Sequence, residues 1–203
     1  MRIKITNGTI LTPFRAIKGG TIVIENGKIL GVHEGNVEVP DATEMDAKGQ
    51  YVAPGFIDIH VHGGGGFDFM DGTEEAFLKI AELHAQYGTT SLVPTTLTAE
   101  KEDLLQTLDV YEKAIGQNTK GANLLGIHLE GPYFALSQRG AQDPRYIRNP
   151  DPAEYEEILS HSSSIVRWSA APELEGAIAF GQRLRQKGDR KSTRLNSSHR
   201  LTS

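Results

Sequence analysis

A chain of 203 residues with 38% hydrophobic and 23% charged side chains has the make-up of a soluble globular protein of one domain or one and a half. Its net charge of −5 and lack of a basic patch argue against nucleic acid as a partner. Without cysteine, disulfides are excluded and any metal falls to His, Asp or Glu. No apolar run approaches the roughly 20 residues of a membrane span, and MRIKITNGTI has no signal-peptide core, so a cytoplasmic protein with no membrane partner is expected.

Residues 1–53 read as β-structure and as one domain. RIKITNGTIL alternates and turns at Asn7-Gly8. GGTIVIENGKILGVHEG is a hairpin about Asn26-Gly27, the strongest short hairpin signal. Short strands with Gly and Asn turns predict a small sheet or part of a sandwich.

From residue 54 to 188 the pattern changes, defining a second domain. GFIDIHVH predicts a strand. A helix over 72–88 follows, capped by Thr73, with Glu74 and Glu75 in its first turn and Gly88 at its end. TTSLVPTTLTA is a strand, and EKEDLLQTLDVYEKAIGQ an amphipathic helix through Leu104, Leu105, Leu108, Tyr111 and Ile115. NLLGIHLEGPYF reads as one strand, and a polar loop leads to the helix DPAEYEEILSHSS. IVRWSAAPE and LEGAIAFGQRLRQKG complete a fourth strand–helix pair. This alternation predicts an α/β architecture with a parallel sheet or (β/α) barrel, of which four of eight units are present.

Residues 189–203, DRKSTRLNSSHRLTS, carry four basic residues, one acid and almost nothing apolar. Such a tail is expected to be disordered. Its wording is that of a translated sequencing adapter joined to an interrupted reading frame, so it is expected to be non-native.

The chemistry concentrates in two segments. In GFIDIHVHGGGG, Asp58, His60 and His62 alternate onto one face of a strand, at the end where barrel active sites lie. Two imidazoles there can grip one divalent ion, and Asp58 is placed to orient one of them. Gly63–Gly66 leave room for a substrate. An H-x-H strand is also, by itself, an ordinary surface or core pair. In GIHLEGPYF, Glu130 ends a strand and can bind or bridge a metal, with His128 on the same face as a hydrogen-bonding support. A capping or salt-bridging glutamate is the plainer alternative. Arg139, Gln142 and Arg145 in the following loop can meet an anionic or sugar substrate or simply face solvent. The threonines of TTSLVPTTLT line a pocket or only form a strand. His33, His84 and His161 read as surface or core residues, and Glu173 as structural.

PGFIDIHVHG, HLEGPYF and APE, in that order, resemble the amidohydrolase superfamily, and within it the carbohydrate deacetylases of phosphorylated amino sugars. The resemblance covers residues 1 to about 188. It implies the N-terminal half of a metal-dependent (β/α)8 TIM barrel preceded by part of a small β-sandwich, in a homodimeric parent. It implies Glu130 as the principal metal ligand, His60 and His62 as a ligand pair, and Gln142, Gly63 and Gly131 near the sugar. The cofactor implied is a divalent metal, zinc first, with iron or manganese as alternatives. The implied reaction is deacetylation of N-acetyl-D-glucosamine 6-phosphate to D-glucosamine 6-phosphate and acetate, in amino-sugar catabolism. The general acid/base aspartate and further histidine ligands of such enzymes match nothing in this chain, so the chain alone is expected to be inactive. The alternatives are another amidohydrolase acting on a cyclic amide or peptide-like bond (dihydroorotase-like), or a non-catalytic metal-binding fragment.

Overall fold

The structure, a computed structural model, describes residues 1–186 and 192–194. The chain divides into two compact units, Met1–Gly55 and Phe56–Ser203.

In the first unit, β1 (Arg2–Leu11) is the central strand of a five-stranded sheet. It pairs antiparallel with β2 (Ala16–Glu25), which turns into β3 (Lys28–His33). Glu25 faces Lys28 across the turn, and Asn26 and Gly27 take φ of 49° and 77°. Two successive positive φ values are what a tight type I′ hairpin requires, which is why Asn-Gly stands there. β4 (Thr43–Asp46) and β5 (Tyr51–Val52) run parallel to β1. Ile10, Ile17 and Ile22 make a small core.

The second unit begins with β6 (Phe56–Val61). A two-stranded ribbon of β7 (Gly63–Gly64) and β8 (Phe67–Asp68) follows, then a short 3-10 turn over Phe69–Asp71. α1 (Glu74–Gln86) is capped as predicted, the Thr73 hydroxyl accepting the Ala76 N–H at 3.2 Å. β9 (Thr89–Pro94) pairs parallel with β6, and α2 (Lys101–Gln117) returns the chain.

The segment predicted as one strand is two, β10 (Asn123–Leu124) and β11 (Ile127–Glu130). Gly126, at φ +128°, separates them; a Cβ there would fall 2.3 Å from Val166 Cγ1 and 2.7 Å from the Ser164 carbonyl oxygen. The break lets β10 pair with β9 while β11 pairs parallel with β12 (Ile165–Ser169), beyond α3 (Pro152–His161). A parallel bridge between Thr95 and His128 continues the pairing from the β9 side to β11. α4 (Ala177–Gln186) ends the regular alternation. Within the tail expected to be disordered, Ser192–Arg194 forms a short strand, β13, parallel to β12. Open backbone groups on the β12 edge favour such pairing. The rest of residues 189–203 lies outside the described residues.

The core of this unit forms between the helices and one side of the parallel strands. Leu92, Ile127, Leu129 and Trp168 meet Phe77, Leu104, Leu108, Ile158 and Phe180 there. The Trp168 ring lies 5.6 Å from Tyr133 and 5.0 Å from Phe180, and its indole N–H donates to the Gly131 carbonyl at 2.8 Å. On the opposite side, His128, Glu130, Arg167 and Ser169 alternate with the apolar residues yet are equally buried. β11 is thus covered on both faces, one apolar and one polar. β6 differs: among the described residues β9 is its one strand partner, and Phe56, Ile57 and Ile59 are 73, 63 and 55% exposed.

Tyr111 donates its hydroxyl to the Leu124 carbonyl at 3.1 Å, fixing α2 to β10. Burial, with Glu112 beside it, pushes this phenol up to about 12. The folded state therefore holds the Tyr111 proton more tightly than the unfolded chain, whose phenol titrates near 10. Its contribution is complete below pH 10 and fades, by about 2–3 kcal/mol, as pH rises toward 12. Tyr111→Phe is expected to cost ~1 kcal/mol at pH 7 and to flatten the alkaline loss of stability, measured by urea unfolding between pH 8 and 11.5.

Candidate metal centre

Parallel pairing places the C-terminal ends of β6 and β11 on the same side of the second unit. His60 lies on β6, His62 directly after it, and Glu130 ends β11. Their donor atoms converge. His60 Nε2 and His62 Nε2 are 3.3 Å apart, His60 Nε2 is 3.3 Å from Glu130 Oε1, and His62 Nε2 is 3.1 Å from Glu130 Oε2. Among the described residues these three form a group of potential metal donors.

The tautomer of His62 follows from its other nitrogen. Nδ1 lies 3.2 Å from the Thr95 carbonyl, an acceptor only, so Nδ1 carries a proton. In the neutral ring, Nε2 is then a lone pair directed at a carboxylate oxygen and a second imidazole nitrogen. Acceptors in this arrangement repel one another unless a proton or cation lies among them. Glu130 accordingly raises the His62 pKa against the opposing effect of burial. Burial pushes the Glu130 carboxyl up, but the two imidazoles outweigh it and hold it well below the usual carboxylate range. The spacing also suits a cation. Two donors, each about 2.0–2.1 Å from a tetrahedral zinc, lie about 3.3 Å apart. Two nitrogens and one carboxylate leave a fourth position open, the pattern of catalytic rather than closed structural zinc sites.

The supporting residues differ in part from expectation. Asp58 does not reach an imidazole; its Oδ1 accepts the His60 backbone N–H at 3.0 Å, because a carboxylate two residues back reaches the main chain sooner than the ring. His128 is fully buried, and its ring stands edge-on to His60 at 4.9 Å. The Thr95 hydroxyl donates to the Val93 carbonyl, so His128 Nδ1 donates to Thr95 Oγ1 and its Nε2 accepts from Ser169 Oγ at 2.7 Å. With both nitrogens engaged it offers no lone pair to an ion. Burial, helped by the Arg167 charge, lowers its pKa to about 3 and keeps it neutral.

Gly63, expected beside a substrate, makes a close hairpin contact: a Cβ there would sit 2.2 Å from the Phe67 carbonyl oxygen. Gly131, at φ +88°, passes against Thr98, and its backbone serves Ser169 and Trp168. Gln142, expected at the sugar, meets protein with both ends of its carboxamide, at Thr98 and Glu130. Arg145 pairs with Asp143 in the same loop, and Arg139 is exposed. Glu173 sits exposed on a turn. His84 contacts the Gly63 carbonyl and His161 contacts Asp109; neither joins the triad. Sequence reasoning missed Ser169 and Arg167, whose guanidinium donates to the Ile59 carbonyl at 3.0 Å. The available signal was two polar residues at i and i+2 in the apolar strand IVRWS.

Residues 51–180 match the amidohydrolase family. N-acetylgalactosamine-6-phosphate deacetylase of Escherichia coli O157:H7 is 39% identical over 153 residues, 73% of this chain and 39% of that protein. N-acetylglucosamine-6-phosphate deacetylase of Bacillus subtilis (strain 168) is 34% identical over 78% of this chain and 41% of that one. The crystal structure of N-acetyl-D-glucosamine-6-phosphate deacetylase from Mycobacterium smegmatis superposes with a TM-score of 0.81 at 30% identity, over 92% of this chain and 48% of its own. A mutant of that enzyme, in complex with N-acetyl-D-glucosamine-6-phosphate, gives 0.79 at 29% identity. The chain belongs to the amidohydrolase family. It spans 39–48% of the length of these relatives.

Glu130→Gln removes the one anionic donor with little change in volume. It is expected to weaken zinc binding beyond the ~100-fold that loss of a supporting group costs, whereas the exposed Glu173→Gln leaves affinity unchanged. Isothermal titration calorimetry of the two variants checks both outcomes.

Proposed function

We propose that this chain is the N-terminal part of a metal-dependent deacetylase that converts N-acetyl-D-glucosamine 6-phosphate to D-glucosamine 6-phosphate and acetate. The observation that carries the reading is the convergence of His60, His62 and Glu130 within 3.1–3.3 Å. Zinc suits two imidazoles and a carboxylate. The likeness to deacetylases of acetamido-sugar phosphates supplies the substrate class.

A divalent cation held there supplies Lewis acidity toward a water and an acyl oxygen. This chain's residues shape the place where it acts. Thr95 keeps His62 in the tautomer that offers Nε2, and Asp58 fixes the backbone that carries His60. Thr95, His128 and Ser169 are at most 4% exposed and form a wall that excludes solvent beside the triad. The close packing of Gly131 against Thr98 and of Gly63 against Phe67 shapes the loops that follow β11 and β6.

The architecture fits the first half of a (β/α)8 barrel, with the first unit as part of a β-sandwich. In that setting the uncovered apolar residues of β6 face neighbouring barrel elements, and a general acid/base comes from outside this chain. A cytoplasmic homodimer is part of the same proposal, carried by the family likeness. Among the described residues, no helix is long and apolar enough to cross a membrane.

The relative named for galactosamine brings in the C4 epimer as a second substrate. Acetate release by a chain extended to the relatives' length, assayed on both acetamido-sugar 6-phosphates, tests the reading. Zinc-dependent turnover of the glucosamine compound is expected, with the 203-residue chain at least ~10²–10⁴-fold slower for want of an acid/base. Hydrolysis of a cyclic amide alone, with neither sugar consumed, overturns it.

A further inference from the structure

Glu130 is a buried carboxylate at the end of a strand, and its side chain has freedom to rotate unless something holds it. The neighbouring His128 cannot do so, because Thr95 and Ser169 engage its two nitrogens. The Glu130 backbone is fixed separately, its N–H donating to Thr96 Oγ1 at 3.3 Å. The carboxylate itself meets one further side chain besides the two imidazoles among the described residues. Gln142 Nε2 lies 3.2 Å from Glu130 Oε2.

The orientation of the Gln142 amide is settled by its other end. The Thr98 backbone N–H lies 2.8 Å from Gln142 Oε1, and an N–H needs an acceptor. The oxygen therefore faces Thr98 and the NH2 group faces Glu130. Oε2, the oxygen that receives this donation, is also the one 3.1 Å from His62 Nε2. One side of that oxygen is thus held by a neutral amide, and another side is directed into the triad. The residue that does this comes from the polar loop following Pro132, 12 residues after Glu130, and is itself half-buried.

We propose that Gln142 is a positioning residue for the metal centre, clamping the Glu130 carboxylate in its donor orientation by a hydrogen bond to Oε2 and bracing itself on the Thr98 amide. The proposal rests on the metal reading of the triad and adds a role for a residue that the family likeness places beside the sugar. A neutral amide suits this task. It donates to the carboxylate without neutralising the charge that attracts a cation, as a lysine or arginine would.

Two variants of the 203-residue chain test it. Gln142→Met keeps the volume and removes both bonds; Gln142→Ala opens space for a water at the Thr98 N–H. Zinc affinity is read by calorimetry, coordination by the visible absorption of bound Co²⁺, and folding by circular dichroism of the metal-free chain. Both variants are expected to bind zinc ~10–100-fold more weakly and to shift the Co²⁺ bands, with metal-free spectra like those of the parent chain. A folded variant with unchanged affinity and an unchanged Co²⁺ spectrum overturns the role of Gln142 while leaving the metal centre standing. So does a variant of the longer enzyme that alters KM for the sugar alone. A parent chain that takes up no zinc overturns the metal reading and this role together.

Discussion

Two imidazole nitrogens and a buried carboxylate are directed at one point, and much of the second unit is arranged to keep them there. With neither a proton nor a cation among them, such a cluster is unfavourable, because acceptors then face acceptors. Several kcal/mol is the usual scale for an uncompensated buried charge. The protein maintains it with rigid neighbours. Asp58 holds the backbone N–H of His60, strand pairing fixes the backbone of Glu130, the Thr95 carbonyl fixes the ring of His62, and the side chain of His128 braces His60 from the edge.

The means of support is a strand layer with two different faces. Leu129 and Trp168 face the helices and make an apolar core; Glu130 and Ser169 turn the other way into a polar interior. Burying that many polar groups is tolerable because they bond to one another, as the path from Val93 through Thr95 and His128 to Ser169 shows. Each member of the path has its proton placed by the next. A neutral His128 follows from this, and with it a boundary between the atoms available to an ion and those that are not.

Much of this was legible in the sequence, for a definite reason. A strand repeats every two residues, so His60 and His62, or His128 and Glu130, declare a common face without any structure. Asn26-Gly27 declares its turn because few other pairs accept two positive φ values. Other features depend on contacts between distant segments, which periodicity does not encode. The division of β10 from β11 depends on Val166 and Ser164 crowding Gly126. Gly63 looked like space for a substrate because a glycine's missing Cβ reads the same whether ligand or backbone fills the gap; here the Phe67 carbonyl fills it. Asp58 was aimed at a ring and bonds a main-chain N–H, and the bond from Gln142 to Glu130 joins residues 12 apart across a loop. The three donors and the supporting role of His128 were readable; the particular bonds that hold them still were not.

The most direct test of the account is an anomalous difference map from crystals of the chain grown with zinc, recorded at the zinc absorption edge. The account expects its strongest peak about 2.0–2.1 Å from Nε2 of both His60 and His62 and from a Glu130 carboxylate oxygen. A map from saturating zinc with the three side chains ordered and no peak between them contradicts it.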